Sequence, residues 1–297
     1  MASRWLALPA FAKINLSLEL VGPRPDGYWE IRTVYQTVGL HDRLRMRLTR
    51  TGEVEVRVPG GGAPAGRNNL VHRMLSRACT RLGLRRGVEV ELEKNIPAGR
   101  GLGGGASDAA AALMGLLRLT RQRLPAAELF RLGAAVGSDV PFFFVGGRAL
   151  GVGRGEEVHP LDDGRPGWLV LLCPPFEVST RAAYLWARLT PRRRAGKILD
   201  SRPSGDRLWG GNDFESVIFP RFPELARIKA ALLAAGAQQA GLSGSGSTVY
   251  GWFDRRATAV AAAARGASAA AVFVVAALPR PAYARALGAS RWWERAA

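Results

Sequence analysis

Lysine, histidine and cysteine are all scarce in this 297-residue chain. Lys13, Lys94, Lys197 and Lys229 are the only lysines, and His41, His72 and His159 the only histidines. The histidines stand far apart without metal-ligand spacing, so each is read as structural or exposed. Cys79 and Cys173 are the only cysteines. Two such separated thiols build neither a disulfide framework nor a zinc site, and they fit a reducing cytoplasm. Long apolar runs are also missing. The stretch 257–278 is broken by Arg265 and Gly266, too short on either side for the roughly 20 residues a spanning helix needs, and reads as an alanine-rich helix followed by a buried strand. The segment from Arg4 through Ala12 imitates a secretory signal, but it contains Pro9 and passes directly into an alternating strand, so export is not expected.

Positive charge is abundant instead. The chain carries 42 basic against 24 acidic residues, a formal net charge of +18. With so little lysine, the excess is arginine, scattered singly or in pairs, with Arg192-Arg193-Arg194 the densest run. Neither nucleic acid nor membrane is expected as a partner on that distribution, although such a field steers an anionic small molecule toward the protein. The chain is expected to act as a monomer or weak homodimer. An apolar content of 47% with 22% charged residues is ordinary for a soluble globular protein, enzymes included, and the length points to two domains.

Ile14, Leu16, Leu18 and Leu20 alternate with polar residues, the period-two pattern of a half-buried strand. Strands are also expected over 33–38, 43–48, 54–58, 88–92, 168–173, 249–253 and 271–276, and helices over 69–82, 107–119, 126–136 and 222–236. Residues 191–211, rich in Arg and Pro, read as a long loop. Strands and helices mix without strict alternation, which makes the class α+β.

Two glycine-rich loops carry the chemistry. Pro97-Ala98-Gly99-Arg100-Gly101-Leu102-Gly103-Gly104-Gly105-Ala106-Ser107 lies between a strand and a helix. Backbone N–H groups of such a loop, with the helix N-terminus behind it, can cradle phosphate. Gly99, Gly101 and Gly104 also satisfy the G-x-G-x-x-G dinucleotide template, but no acidic strand end follows about 20 residues on. The Lys-Ser/Thr end of a Walker loop is absent too, so a different phosphate cradle is implied, with a flexible turn as the alternative. The second loop, Gly241 to Thr248, alternates glycine with serine and reads equally as a linker or as a place where backbone approaches a ligand. Asp139, just before Phe142-Phe143-Phe144, is a candidate general base or a capping residue. Lys13, in so lysine-poor a chain, is a candidate point charge or an exposed strand end.

Together these segments resemble the GHMP kinase superfamily, which combines an early strand, a central Pro-x-x-x-Gly-Leu-Gly-type loop and a late glycine loop. Ala12-Lys13-Ile14-Asn15-Leu16, Pro25-Asp26-Gly27-Tyr28, Asn69-Leu70-Val71, the loop 101–110, Gly137-Ser138-Asp139-Val140-Pro141 and Asn212-Asp213-Phe214-Glu215 are similar to the members acting on a cytidine-diphosphate-linked methylerythritol rather than on mevalonate or homoserine. An arginine-rich RNA-binding protein is the alternative from another class. The resemblance implies two domains, 1–158 with a ribosomal-protein-S5-like fold and 159–297 with a ferredoxin-like fold, and an active site in the cleft between them. It implies ATP and Mg2+ as cofactors, phosphates wrapped by 97–107, and Asn69 near the adenosine. It implies Asp139 as base, Lys13 holding the substrate hydroxyl and Asn15 touching the erythritol portion. Tyr28 and Tyr184 would cover the cytosine, and Gly244 and Ser245 would lie near the diphosphate. Ser107 and Asp108 are the nearest candidates to the metal, whose ligands stay unassigned. Two positions depart from the family pattern: Trp29 stands where a histidine is usual, and Ala106 where a serine is common.

Overall fold

The computed structural model describes residues 4–189, 210–265 and 271–288. The expected loop 191–211 lies outside the described residues except for its last two, as do Arg192, Arg193, Arg194 and Lys197.

Two long strands, β1 (Leu6–Pro23) and β2 (Trp29–Thr49), pair antiparallel along almost their whole length. β2 takes in both strands expected over 33–38 and 43–48. Gly39, between them, lies in the extended strand: a Cβ there would stand 3.6 Å from the Ala276 carbonyl, and Val38 bridges Ala277. The glycine admits a neighbouring backbone rather than making a turn. β3 (Val54–Arg57), β4 (Gly87–Glu93), β5 (Arg148–Val152) and β6 (Glu157–Pro160) complete the first sheet, with β3 parallel to β4 and the other pairs antiparallel. Helices α1 (Leu70–Arg81), α2 (Gly104–Thr120) and α3 (Ala126–Val136) cover one face. Their apolar sides meet Leu44, Met46, Val88, Val90 and Leu92 in a buried core with Met74, Leu75 and Leu113. The short α4 (Phe142–Val145) buries all three of its phenylalanines there.

The remaining elements run β7 (Trp168–Cys173), α5 (Thr180–Leu189), α6 (Glu215–Ile218), α7 (Pro223–Ala234), β8 (Gln239–Leu242), β9 (Val249–Phe253), α8 (Arg256–Arg265) and β10 (Ala271–Ala276), with α9 (Arg280–Ala286) after them. The second sheet has the order β10-β7-β9-β8, antiparallel throughout, the arrangement of a split β-α-β unit. The two-domain α+β expectation is therefore met, with an S5-like first unit and a ferredoxin-like second. The expected boundary at 158 and 159 falls within β6. β10 is half-buried rather than buried, because it is an edge strand. The late glycine loop joins two strands, since Gly241 already pairs with Tyr250.

Alternation along β1 decides how the units meet. Ala12, Ile14 and Leu16 enter a core shared with Leu169, Leu171, Tyr250 and Trp252 of the second sheet. Lys13, Asn15 and Ser17 take the other face, so the strand that joins the units also carries polar groups at their junction.

Candidate active site

At that junction Lys13 and Asp139 meet. The β1–β2 ladder shifts register between Phe11 and Lys13, and the Lys13 N–H donates instead to the Leu102 carbonyl at 2.9 Å, which fixes the strand to the first glycine loop. The Lys13 ammonium lies 3.2 Å from Asp139 Oδ2 and donates to Asn15 Oδ1 at 2.7 Å. An ammonium has three protons, so one is left for a ligand oxygen. Asp139 Oδ1 accepts from the Tyr35 hydroxyl at 3.1 Å, so donors at both oxygens orient the carboxylate. Burial, and then the Asp139 charge, hold the Tyr35 phenol well above its ordinary range, which keeps it a donor. Asn15 is braced in turn: its Nδ2 donates to Thr33 Oγ1 at 2.7 Å, and that hydroxyl donates to the Ser17 carbonyl at 2.7 Å. Nothing in the sequence pattern marked Tyr35, because only the fold brings it to Asp139.

Two cavities adjoin this centre, sharing Gly101, Ala106 and Thr180 on their walls. One, of about 610 Å³, is lined by Pro97 through Ala106, by Asn69 and Leu70, and by Lys94, Asp108 and Glu177. Gly99, Gly101 and Gly103 all have positive φ, and side chains would not fit. A Cβ on Gly101 would stand 2.1 Å from the Ser243 carbonyl, and one on Gly103 2.9 Å from Lys13 Cγ and 3.0 Å from Phe143. Such a bare backbone turn at the N-terminus of α2 suits phosphate oxygens. Ser107 is 1% exposed and lines neither cavity, whereas Ala106 lines both. Asn69 caps α1 by accepting from the Val71 N–H at 2.8 Å and donates to the Pro64 carbonyl at 2.7 Å, so it shapes the wall through bonds of its own.

Below the loop Lys94 joins two buried carboxylates, Asp42 and Asp108, the second at 2.7 Å. Burial pushes the Asp108 carboxyl up to about 8 despite the Lys94 ammonium, and Asp42 adds to the rise. Asp108 Oδ1 is buried and accepts no hydrogen bond. Among the described residues no group of three or more His, Cys, Asp or Glu is placed to hold a metal.

The second cavity, of about 820 Å³, contains Lys13, Asn15 and Asp139, and extends past Tyr28, Trp29, Tyr184 and Phe214 to Gly244 and Ser245. Tyr28 is 54% exposed, with the Arg154 guanidinium 4.8 Å over its ring. Tyr184 is held between Trp29, stacked at 6.3 Å and 28°, and Phe214, edge-on at 4.9 Å. Trp29 is 5% exposed, so its indole is part of the wall. Arg154, Arg181 and Arg188 also line this cavity. No sequence signal points to Arg154, because β5 and β6, which carry the turn it sits on, are too short to show a period.

Comparison with known proteins agrees with this architecture. Residues 69–147 match the GHMP kinases N terminal domain and residues 194–271 the GHMP kinases C terminal model. A crystal structure of a mevalonate kinase, 13% identical, superposes with a TM-score of 0.70 over 92% of this chain and 99% of its own, a likeness of fold alone. The two-unit fold with its paired glycine loops is that of a GHMP kinase. The 4-diphosphocytidyl-2-C-methyl-D-erythritol kinase of Moorella thermoacetica is 42% identical over 83% of this chain and 89% of its own. The enzyme of that name from Pelotomaculum thermopropionicum is 43% identical over 82% and 87%. A crystal structure of 4-(cytidine 5'-diphospho)-2C-methyl-D-erythritol kinase, 33% identical, gives a TM-score of 0.78 over 91% of this chain and 98% of its own. The chain belongs to the 4-diphosphocytidyl-2-C-methyl-D-erythritol kinase family.

Proposed function

We propose that this protein transfers the γ-phosphoryl group of ATP to the 2-hydroxyl of 4-diphosphocytidyl-2-C-methyl-D-erythritol, a step of the methylerythritol phosphate route to isoprenoid precursors. The observation that carries this reading is the Lys13–Asp139 pair, at 3.2 Å, beside the shared wall of a glycine-lined cavity and an aromatic one.

ATP occupies the glycine cavity, its phosphates against the backbone of 99–105. The cytidine end of the second substrate lies between Tyr28 and Tyr184, its diphosphate near Gly244 and Ser245, and its hydroxyl at Asp139. Asp139 takes the hydroxyl proton as the oxygen attacks the γ-phosphorus, and the bond from that phosphorus to the β–γ bridging oxygen breaks, releasing ADP. The remaining Lys13 proton stabilises charge on the transferring oxygens. Mg2+ bound with ATP supplies charge neutralisation over the phosphates. Glu177 is the carboxylate on the nucleotide cavity wall that is not tied to Lys94 and is the residue that would hold it, and one or two carboxylates are the usual protein share. No described helix is long and apolar enough to cross a membrane, and we place the reaction in the cytoplasm.

The test is ADP release from ATP and Mg2+ with 4-diphosphocytidyl-2-C-methyl-D-erythritol, beside mevalonate and homoserine. Turnover with the first alone is expected. Turnover with either control, or with none while ATP still binds, would make the substrate assignment wrong.

A further inference from the structure

The segment Asn212-Asp213-Phe214-Glu215 contributes no charged group to the chemistry above, yet Phe214 lines the aromatic cavity and Asn212 bonds Gly244 on its wall, while the residues beside them tie the segment to its surroundings. Asp213 accepts from the Leu20 N–H of β1 at 2.8 Å. Phe214 lies edge-on to Tyr184. Glu215 accepts from the Leu242 N–H at 3.0 Å and, through its other oxygen, from Lys229 at 2.6 Å. Asn212 is the most committed of the four. Its Nδ2 donates to the Leu242 and Gly244 carbonyls, both at 2.8 Å, and its Oδ1 accepts from the Phe214 N–H at 3.0 Å. Both amide protons are used, and the orientation of the amide is dictated by two carbonyls on one side and an N–H on the other.

This arrangement acts on the late glycine loop. Gly244 has φ +57 and lies against Asn15, so the loop turns sharply beside the Lys13–Asn15 pair. In a planar trans peptide the N–H points opposite to the preceding carbonyl. Holding the Gly244 carbonyl toward Asn212 therefore turns the Ser245 N–H away from it. Among the described residues no acceptor takes that N–H, although Ser245 is 6% exposed and lines the cavity. A buried backbone donor left open beside a ligand cavity is a place for an anionic oxygen.

We propose that Asn212 is a positioning residue, which holds the Gly244–Ser245 turn so that the Ser245 N–H receives the diphosphate of the cytidine substrate. The inference rests on the substrate reading given above. It predicts that loss of Asn212 is felt in binding of the cytidine diphosphate group and little in binding of adenine nucleotide, because Asn212 makes no bond to residues 97–107.

The experiment is calorimetric titration of the wild type and of Asn212→Asp with CDP and, separately, with ADP, together with melting temperatures. The aspartate keeps the shape but sets an oxygen against two carbonyls. CDP affinity is expected to fall at least about tenfold, the scale of one net hydrogen bond, while ADP affinity stays within about twofold. Unchanged CDP affinity, or equal losses for CDP and ADP, would overturn the positioning role alone. Wild-type protein that binds ADP but no CDP would overturn the substrate reading and this role with it. Should Asn212→Asp fail to fold, Asn212→Ser, too short to reach both carbonyls, is read by the same criteria.

Discussion

The Lys13 ammonium stands 3.2 Å from the Asp139 carboxylate, with the lysine side chain 4% exposed and the aspartate 34% exposed. A lysine head group so buried needs close polar partners, and an aspartate so open is accessible to a hydroxyl in the cavity. Asp139→Asn is expected to lower turnover at least about 100-fold, the low end for general-base catalysis, with nucleotide affinity kept. Near-normal turnover in that variant, measured with saturating ATP, would remove Asp139 from the mechanism. Lys13→Met is expected to cost turnover on a similar scale, about 100-fold or more.

Gly103 gives a second prediction. The space its Cβ would take is occupied by Lys13 and Phe143, so a side chain there displaces the lysine paired with Asp139 as well as straining a backbone at φ +71. Gly103→Val is expected to depress kcat more than it weakens ATP. Steady-state kinetics beside nucleotide titration separate the two, and a loss confined to ATP affinity would show that Lys13 accommodates the change.

The parts of this site that the sequence disclosed are those built from contiguous residues: the loop 97–107, the alternating strand with Lys13 and Asn15, and the Gly-Ser-Asp turn before α4. Local pattern also disclosed most helices. Contacts between distant segments stayed hidden. Tyr35 bonds Asp139 across the fold, and Arg154 covers Tyr28 from a turn between two unread short strands. Gly39 lies inside β2 between the two expected strands, and a glycine that admits a neighbouring strand and a glycine that turns the chain are the same letter. α5 did carry a local sign: Ser179 accepts from the Ala182 N–H, as an N-terminal serine does.

The exposed Tyr28 and its Arg154 cover make a third prediction. Stacking of a guanidinium on an aromatic ring in a partly open site contributes on the order of 0.5–1 kcal/mol, about two- to fivefold in an equilibrium constant. Arg154→Ala is therefore expected to raise KM for the cytidine substrate several-fold with kcat little changed, and Tyr28→Ala to raise it further. Equal effects on KM and kcat would place Arg154 nearer the reacting atoms.

Asp108 yields a prediction about stability. Its carboxyl is pushed up to about 8 from an ordinary 3.8, chiefly by burial, so between those values the folded chain binds a proton that the unfolded chain has released. Stability from this group is fully present below about pH 4 and is lost as pH rises through about 8. Asp108→Asn keeps an oxygen for Lys94 and adds an amide donor on the Asp42 side, and it removes the titration. Between pH 5 and 8, in the absence of nucleotide, the wild-type melting temperature is expected to decline relative to that of Asp108→Asn. Parallel profiles across that range would mean that Lys94 keeps both carboxylates ionised at neutral pH, and that no proton resides beneath the first glycine loop.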